Sequence, residues 1–339
     1  MAEYEESGFI KKENFYEGRQ FNDKDRRAVI TDRLSGPISR SLRKIFSRNE
    51  VAREETLKPF LANLASLVTE EQRAKYPFLT ALGSENFDDR ILTDTVRSYS
   101  QRVSKAKKNW RMRYAPVSPE EQTNRIRDAI LSVYRYHIPA YEAVFSDLDM
   151  RNAAQEVFIG RDGMFMYFAR KAQFWGRGES GAGKVKYLVY GMTIRDSVMT
   201  TEERKQYLKD SGITDASDAV FVDVGHIGTV PEHILRDIFG FTDKNEINKR
   251  IAMIASPFPE RKVTHEMTTE ESMRHSVAIE KAPKPIWHVV GLHRHPKTGK
   301  ITPTEGPERP ETILEHECIK YLCMRHFYLK GQSERDAVK

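Results

Sequence analysis

Glu156-Val157-Phe158-Ile159-Gly160-Arg161-Asp162-Gly163, followed by Met164 to Phe174, is the stretch on which the fold turns. Val157, Phe158 and Ile159 form a short uncharged run of β-branched and aromatic residues, the pattern of a buried strand. Gly160 and Gly163 bracket Arg161-Asp162 as a turn, and Met164 to Phe174 reads as a helix. The alternation then repeats. Val185 to Tyr190 reads as a strand, and Thr200 to Asp210 as a helix with Thr200 and Glu203 as its capping box and Gly212 as its stop. Ala219 to Val222 is the next strand, Thr229 to Phe239 a helix, and Arg250 to Ala255 a strand that ends before Pro257. Strands alternating with helices over this length indicate βαβ units. The expected class is α/β, a Rossmann-like parallel sheet with a helical N-terminal extension and a C-terminal helix.

Working outward, the chain upstream is mostly helical in pattern. Ile38, Leu42, Ile45 and Phe46 share one helical face among Arg40, Arg43, Lys44 and Arg48, and Glu54 to Leu67 reads as a second amphipathic helix. At Ser118-Pro119-Glu120-Glu121 a helix opens with Ser118 as cap, Pro119 in the first turn and Glu121 closing a capping box. Ile126, Ile130, Val133 and His137 continue it until Pro139, where it should stop. Residues 1–30 are charged, poor in aliphatics and read as a mobile tail. Beyond Pro257 the signals are poorer until Pro310 opens a helix to about Lys330. The chain thus divides into the 1–30 tail, a helical basic region at 31–150, a Rossmann-like core at 151–260, and a loop-rich segment with the C-terminal helix at 261–339.

Among 339 residues there are 55 Lys and Arg against 49 Asp and Glu, a net charge of +6. The only cysteines, Cys318 and Cys323, argue against a disulfide scaffold and for a reducing compartment. The start MAEYEESGF lacks the basic-then-apolar pattern of a signal peptide, and no transmembrane-length apolar run follows, so a cytoplasmic protein with no membrane partner is expected. The positive charge is concentrated. No acid occurs from Thr95 to Pro119, where Arg97, Arg102, Lys105, Lys107, Lys108, Arg111 and Arg113 are interleaved with Tyr99, Trp110 and Tyr114. Cations among aromatics suit a nucleic-acid backbone and its unstacked bases; the alternative is a solvated helix face whose counter-charges come from elsewhere in the fold.

In an open parallel sheet, ligands sit beyond the carboxyl ends of the strands. Three loops meet that condition. In Asp223-Val224-Gly225-His226-Ile227-Gly228-Thr229, Gly225 and Gly228 let the backbone approach an anion. Thr229 caps a helix with Glu232 as its capping-box partner, and Asp223 is placed to accept hydroxyls or take a proton. His226 beside two glycines points to binding. In the second loop Arg161 is a clamp for an anion and Asp162 a base or an orienter of Arg161, with Gly163 beside them; a salt bridge between neighbours is the plainer alternative. The third, Gly191-Met192-Thr193-Ile194-Arg195-Asp196-Ser197, offers Thr193 and Ser197 hydroxyls with Arg195 and Asp196, a set for binding or nucleophilic work, or for capping.

The stretch VFIGRDGMFMYFARK, then VKYLVYGMTIR, then AVFVDVGHIGTVPEHI is similar to a Rossmann-like region of bacterial proteins from surface-polysaccharide gene clusters, often described as haloacid-dehalogenase-like. More loosely, it resembles a phosphoribosyltransferase fold, in which an acid-bearing strand leads into a phosphate loop. LVYGMTIRDS is similar to the strand-turn of bacterial cyclodipeptide synthases, with Thr193 where the acceptor serine stands and Asp196 in place of asparagine. In size, basic helices and α/β core the whole chain resembles the fungal arginine-containing cyclodipeptide synthases. That resemblance implies a group-transfer enzyme using aminoacyl-tRNA, with Asp162, Thr193 and Asp223 catalytic and no cofactor or obligate protein partner. A phosphoribosyltransferase-like or phosphohydrolase enzyme and a non-enzymatic RNA-binding protein are the rival expectations.

Two further motifs carry less. Gly178-Glu179-Ser180-Gly181-Ala182-Gly183-Lys184 matches most of a Walker A loop, yet it follows a helix, leads into a strand and has Val185 where Ser or Thr belongs, so it reads as a connector. His288, His293, His295, His316, Cys318, Cys323 and His326 lack zinc spacing, and no metal is expected.

Overall fold

A computed structural model of the chain describes residues 45, 50–62, 64–67, 69–71, 89–109, 118–195, 199–224, 228–282, 289–294, 298–299, 301–305 and 310–338. The tail read at 1–30, together with Ile38, Leu42 and Phe46, lies outside them. Strands β1 (Gln155–Ile159), β2 (Val185–Leu188), β3 (Ala219–Asp223) and β4 (Ile251–Met253) form one parallel sheet in the order β2-β1-β3-β4. Val157 of β1 lies between Lys186 and Phe221 in register. The protein is therefore α/β with a Rossmann-like sheet. A separate antiparallel hairpin, β5 (Val289–Arg294) with β6 (Ile301–Glu305), occupies part of the segment whose signals were poor.

Strand alternation sends side chains to opposite faces, and both faces are apolar. Phe158, Val220, Val222 and Ala252 join one buried cluster; Val157, Ile159, Phe221, Ile251 and Met253 join another. The first face is covered by α5 (Gly160–Arg177), by the helices before β1 and by the C-terminal helix α11 (Pro310–Val338). Those earlier helices are α1 (Glu50–Ala62), α2 (Asp89–Asn109), α3 (Pro119–Ser132) and α4 (Ile138–Arg151). Helices α6 (Met192–Arg195), α7 (Thr201–Asp210), α8 (Thr229–His233, continued by a π turn at Ile234–Ile238) and α9 (Lys244–Lys249) cover the second face through Ile194, Leu208, Ile234 and Ile247. Helix α10 (Thr269–Lys281) adds Ile279 to the first.

Several local expectations hold and others change. Thr200 and Glu203 make the reciprocal capping box. Ser118 accepts from the Glu121 amide at 3.1 Å, but the Glu121 carboxylate turns to Arg125 and not back to the cap. Pro139 does not end its helix. A π turn at Val133–His137 widens the ladder and carries the helix through Pro139 into α4, because a wider turn absorbs the missing N–H and the ring. Gly160 to Gly163 is not a separate turn: α5 begins at Gly160, whose φ of 68° reverses the chain within one residue of β1.

Helix α11 runs to Val338, well past Lys330, and is buried nearly all round from Ile313 to Met324. Its carboxylates and cations are matched inside. Arg102 of α2 donates to Glu317 at 2.5 Å, Lys320 pairs with Glu317 at 2.8 Å, and Gln122 donates to Glu315 at 3.0 Å. Helix α11 crosses α5 with backbones in contact. A Cβ on Gly176 would stand 2.1 Å from the Tyr328 carbonyl oxygen, and one on Gly331 2.2 Å from that of Gln173. Among the described residues no helix is long and apolar enough to cross a membrane.

Candidate functional site at the carboxyl edge of the sheet

The strand order changes direction at β1: β2 lies on one side of it, β3 and β4 on the other. Connections diverging from β1 and β3 leave a crevice beyond their carboxyl ends. Phe158 and Val222 pair in register, so Ile159 and Asp223 come next, side by side at that edge. Gly160 then starts α5, and Asp162 sits half-buried in its first turn, where the helix dipole favours a carboxylate or a bound anion. Gly163 lets the helix lie on the strand: a Cβ there would be 3.1 Å from the Phe158 carbonyl carbon. Asp223 is likewise half-buried. The crevice thus brings Asp162, Gly163 and Asp223 to one edge, with Arg161 in the same helical turn.

The third loop joins them from β2. Gly191 accepts at its carbonyl from the amides of Ile194 and Arg195, both at 3.0 Å, and α6 follows with Thr193 and Arg195 in it. Arg204 donates to the Arg195 carbonyl at 2.9 Å and anchors that short helix to α7. Ser197, Gly225 and His226 lie outside the described residues. Gly228, at φ 72°, is itself the N-cap of α8, its left-handed backbone leaving Thr229 exposed and without a capping bond. The expected capping box is therefore absent. Glu232 instead takes Arg236 at 2.8 Å and the buried Arg261 at 2.7 Å; burial raises its carboxyl, but hydrogen bonds from Arg261 and Arg236 outweigh that and hold it below the usual range.

Three residues not anticipated from sequence complete the edge. Tyr190, just past β2, is 2% exposed. Its carbonyl oxygen would lie 3.3 Å from a Cβ on Gly160, and its ring stacks on Tyr207 and tilts against His233 at 6.2 Å between centroids. Burial pushes the Tyr190 phenol up to about 12, with Arg204 and Arg195 pulling it down and Asp237 raising it, so all three charges bear on this hydroxyl. His233 Nδ1 is 2.5 Å from Asp237 Oδ2. His233 Nε2 and the Tyr190 hydroxyl are buried and have no hydrogen-bond partner among the described residues. The one sequence signal for the dyad was His and Asp at i and i+4 on a predicted helix.

In the basic segment, Arg102 points inward to Glu317 and to His316 Nδ1, the latter at 2.7 Å, so its charge is matched from a distant element. Arg97 is exposed beside Asp94 at 3.6 Å. Lys105, Lys107 and Lys108 fall on α2, while Arg111 and Arg113 lie outside the described residues. Lys184 of the Walker-like stretch pairs with buried Glu156 at 3.0 Å, and the stretch runs from α5 through a 3-10 turn into β2. Fold and edge define a parallel α/β protein with an acid- and imidazole-bearing crevice. Set against known proteins, the chain matches no family model, no curated protein and no solved structure.

Proposed function

We propose that this is a group-transfer enzyme acting at the crevice beyond β1 and β3 on a nucleotide-linked substrate, and most specifically an aminoacyl-tRNA-dependent synthase of arginine-containing cyclic dipeptides. The observation that carries the reading is the pair of half-buried carboxylates, Asp162 and Asp223, delivered by adjacent strands to one edge beside the N-terminus of an 18-residue helix. A lone anion-binding site has no use for two acids, whereas hydroxyl contacts and proton transfer do. In amide formation the amine of one aminoacyl group attacks the ester carbonyl of another. The C–N bond forms, the ester C–O bond breaks, and the amine proton ends on the leaving ribose hydroxyl. The ester is already activated, so orientation and proton transfer supply the acceleration. Arg97, exposed on α2, and the lysines that follow it in that helix would hold the tRNA backbone.

The test is to incubate the purified full chain with total aminoacylated tRNA and follow deacylation and cyclic dipeptides by mass spectrometry. Wild type should release an arginine-containing cyclic dipeptide, and Asp223→Asn should lose on the order of a hundredfold or more in turnover while keeping its fold. A copurifying sugar phosphate with no deacylation would replace this reading with the phosphoribosyltransferase-like or phosphohydrolase one.

A further inference from the structure

We infer that His233, oriented by Asp237, is the base that receives the proton of the attacking nucleophile, with the Tyr190 hydroxyl as the second polar contact for that substrate. This rests on the group-transfer reading above. A carboxylate only accepts hydrogen bonds, so the 2.5 Å contact of His233 Nδ1 with Asp237 Oδ2 puts the neutral ring's N–H on Nδ1 and leaves a lone pair on Nε2. That lone pair is buried and unmet, and so is the hydroxyl of Tyr190, whose ring lies 6.2 Å away. Leaving two such groups unmet on neighbouring rings lowers stability, and folds keep them where a ligand or a reaction uses them. The Tyr190 backbone abuts Gly160, so the pair sits next to the crevice and not on a remote surface.

The arrangement is a nitrogen base held by a carboxylate, beside a buried tyrosine on whose phenol the charges of Arg204, Asp237 and Arg195 act. Its substrate class is an amine or alcohol nucleophile. Its N–H or O–H proton passes to Nε2 as the new bond to the acyl carbon forms, and the imidazolium returns that proton to the ester oxygen as the C–O bond breaks.

The test uses the full chain labelled with 15N-histidine, and imidazole nitrogen shifts report the tautomer without turnover. Nε2 of His233 should be unprotonated in wild type, and Asp237→Asn should move the proton toward Nε2. In the aminoacyl-tRNA assay His233→Gln should lose on the order of 10²–10⁴-fold in kcat with substrate affinity retained. A wild-type proton on Nε2 overturns the inference, and so does His233→Gln turning over at the wild-type rate. If His233→Gln does not fold, Asp237→Asn decides, since it keeps the ring in place: an unchanged rate overturns the role. Wild-type protein with the expected tautomer but no transfer to any acceptor overturns the function itself and with it this base, whereas active protein indifferent to both substitutions overturns the base alone.

Discussion

His316 illustrates how a single buried contact fixes a protonation state. Arg102 has donors only, so the 2.7 Å bond from its Nη1 requires a lone pair on His316 Nδ1 and hence a neutral ring. Burial first, and the Arg102 charge second, push the imidazole down to about 3. The unfolded chain binds this proton near pH 6.5 and the folded one does not, so stability is full above pH 6.5 and falls with acidification until about pH 3. Within that window the slope from this residue alone approaches about 1.4 kcal/mol per pH unit. Urea unfolding of wild type and His316→Gln at pH 4, 5, 6 and 7 should show a shallower pH dependence in the variant; parallel curves would refute the assignment. None of this was legible in sequence, because His316 gains its meaning from a partner 214 positions away. Asp162 and Asp223, by contrast, were readable as edge residues, since each directly ends or follows an apolar strand. Tyr190 and His233 were not, because they meet only when α8 folds back over the end of β2.

At the scale of elements, the crossing of α5 and α11 makes the sharpest prediction. Gly in a helix normally costs up to about 1 kcal/mol against Ala, so Gly176→Ala or Gly331→Ala should help an ordinary helix. Here each added methyl would meet a carbonyl oxygen of the partner helix at 2.1–2.2 Å, and backbone cannot step aside as a side chain can. Either substitution should destabilise by about 1–3 kcal/mol or more, read as a lowered urea midpoint, with a change at Gly183, which meets nothing within 4 Å, as the control. Capping chemistry was the most legible layer: Ser118 and Thr200 act where the local pattern puts them. It failed at Thr229, where Gly228 took the cap and two arginines took Glu232, and at Pro139, where a widened turn replaced a break. Both failures come from context that a window of a few residues does not contain. A sheet of β2-β1-β3-β4 order was legible as alternating strands and helices, although the order itself follows from pairing and not from pattern.

For the whole molecule, the basic segment makes two different predictions. Arg102→Ala should destabilise the fold, because it leaves the fully buried Glu317 short of a partner; the effect should appear as a lowered melting temperature. Lys105, Lys107, Lys108 and Arg111 changed together to Ala should instead weaken RNA binding and flatten its salt dependence with the melting temperature nearly unchanged, and equal RNA affinity in a filter assay would remove tRNA from the proposal. One feature shapes how the chain comes to be made. Helix α11 supplies Phe327 to Phe145 of α4, His316 to Phe165 of α5 and Glu317 to Arg102 of α2. Until residues 310–338 leave the ribosome, the parts of those three helices that meet α11 lack that cover, so the nascent protein must wait, sticky and incomplete, for a segment that follows all three in the chain. Long-range closure of this kind is slow and open to aggregation. Messages truncated before Pro310 should therefore yield insoluble product or chaperone cargo, not a shorter working protein.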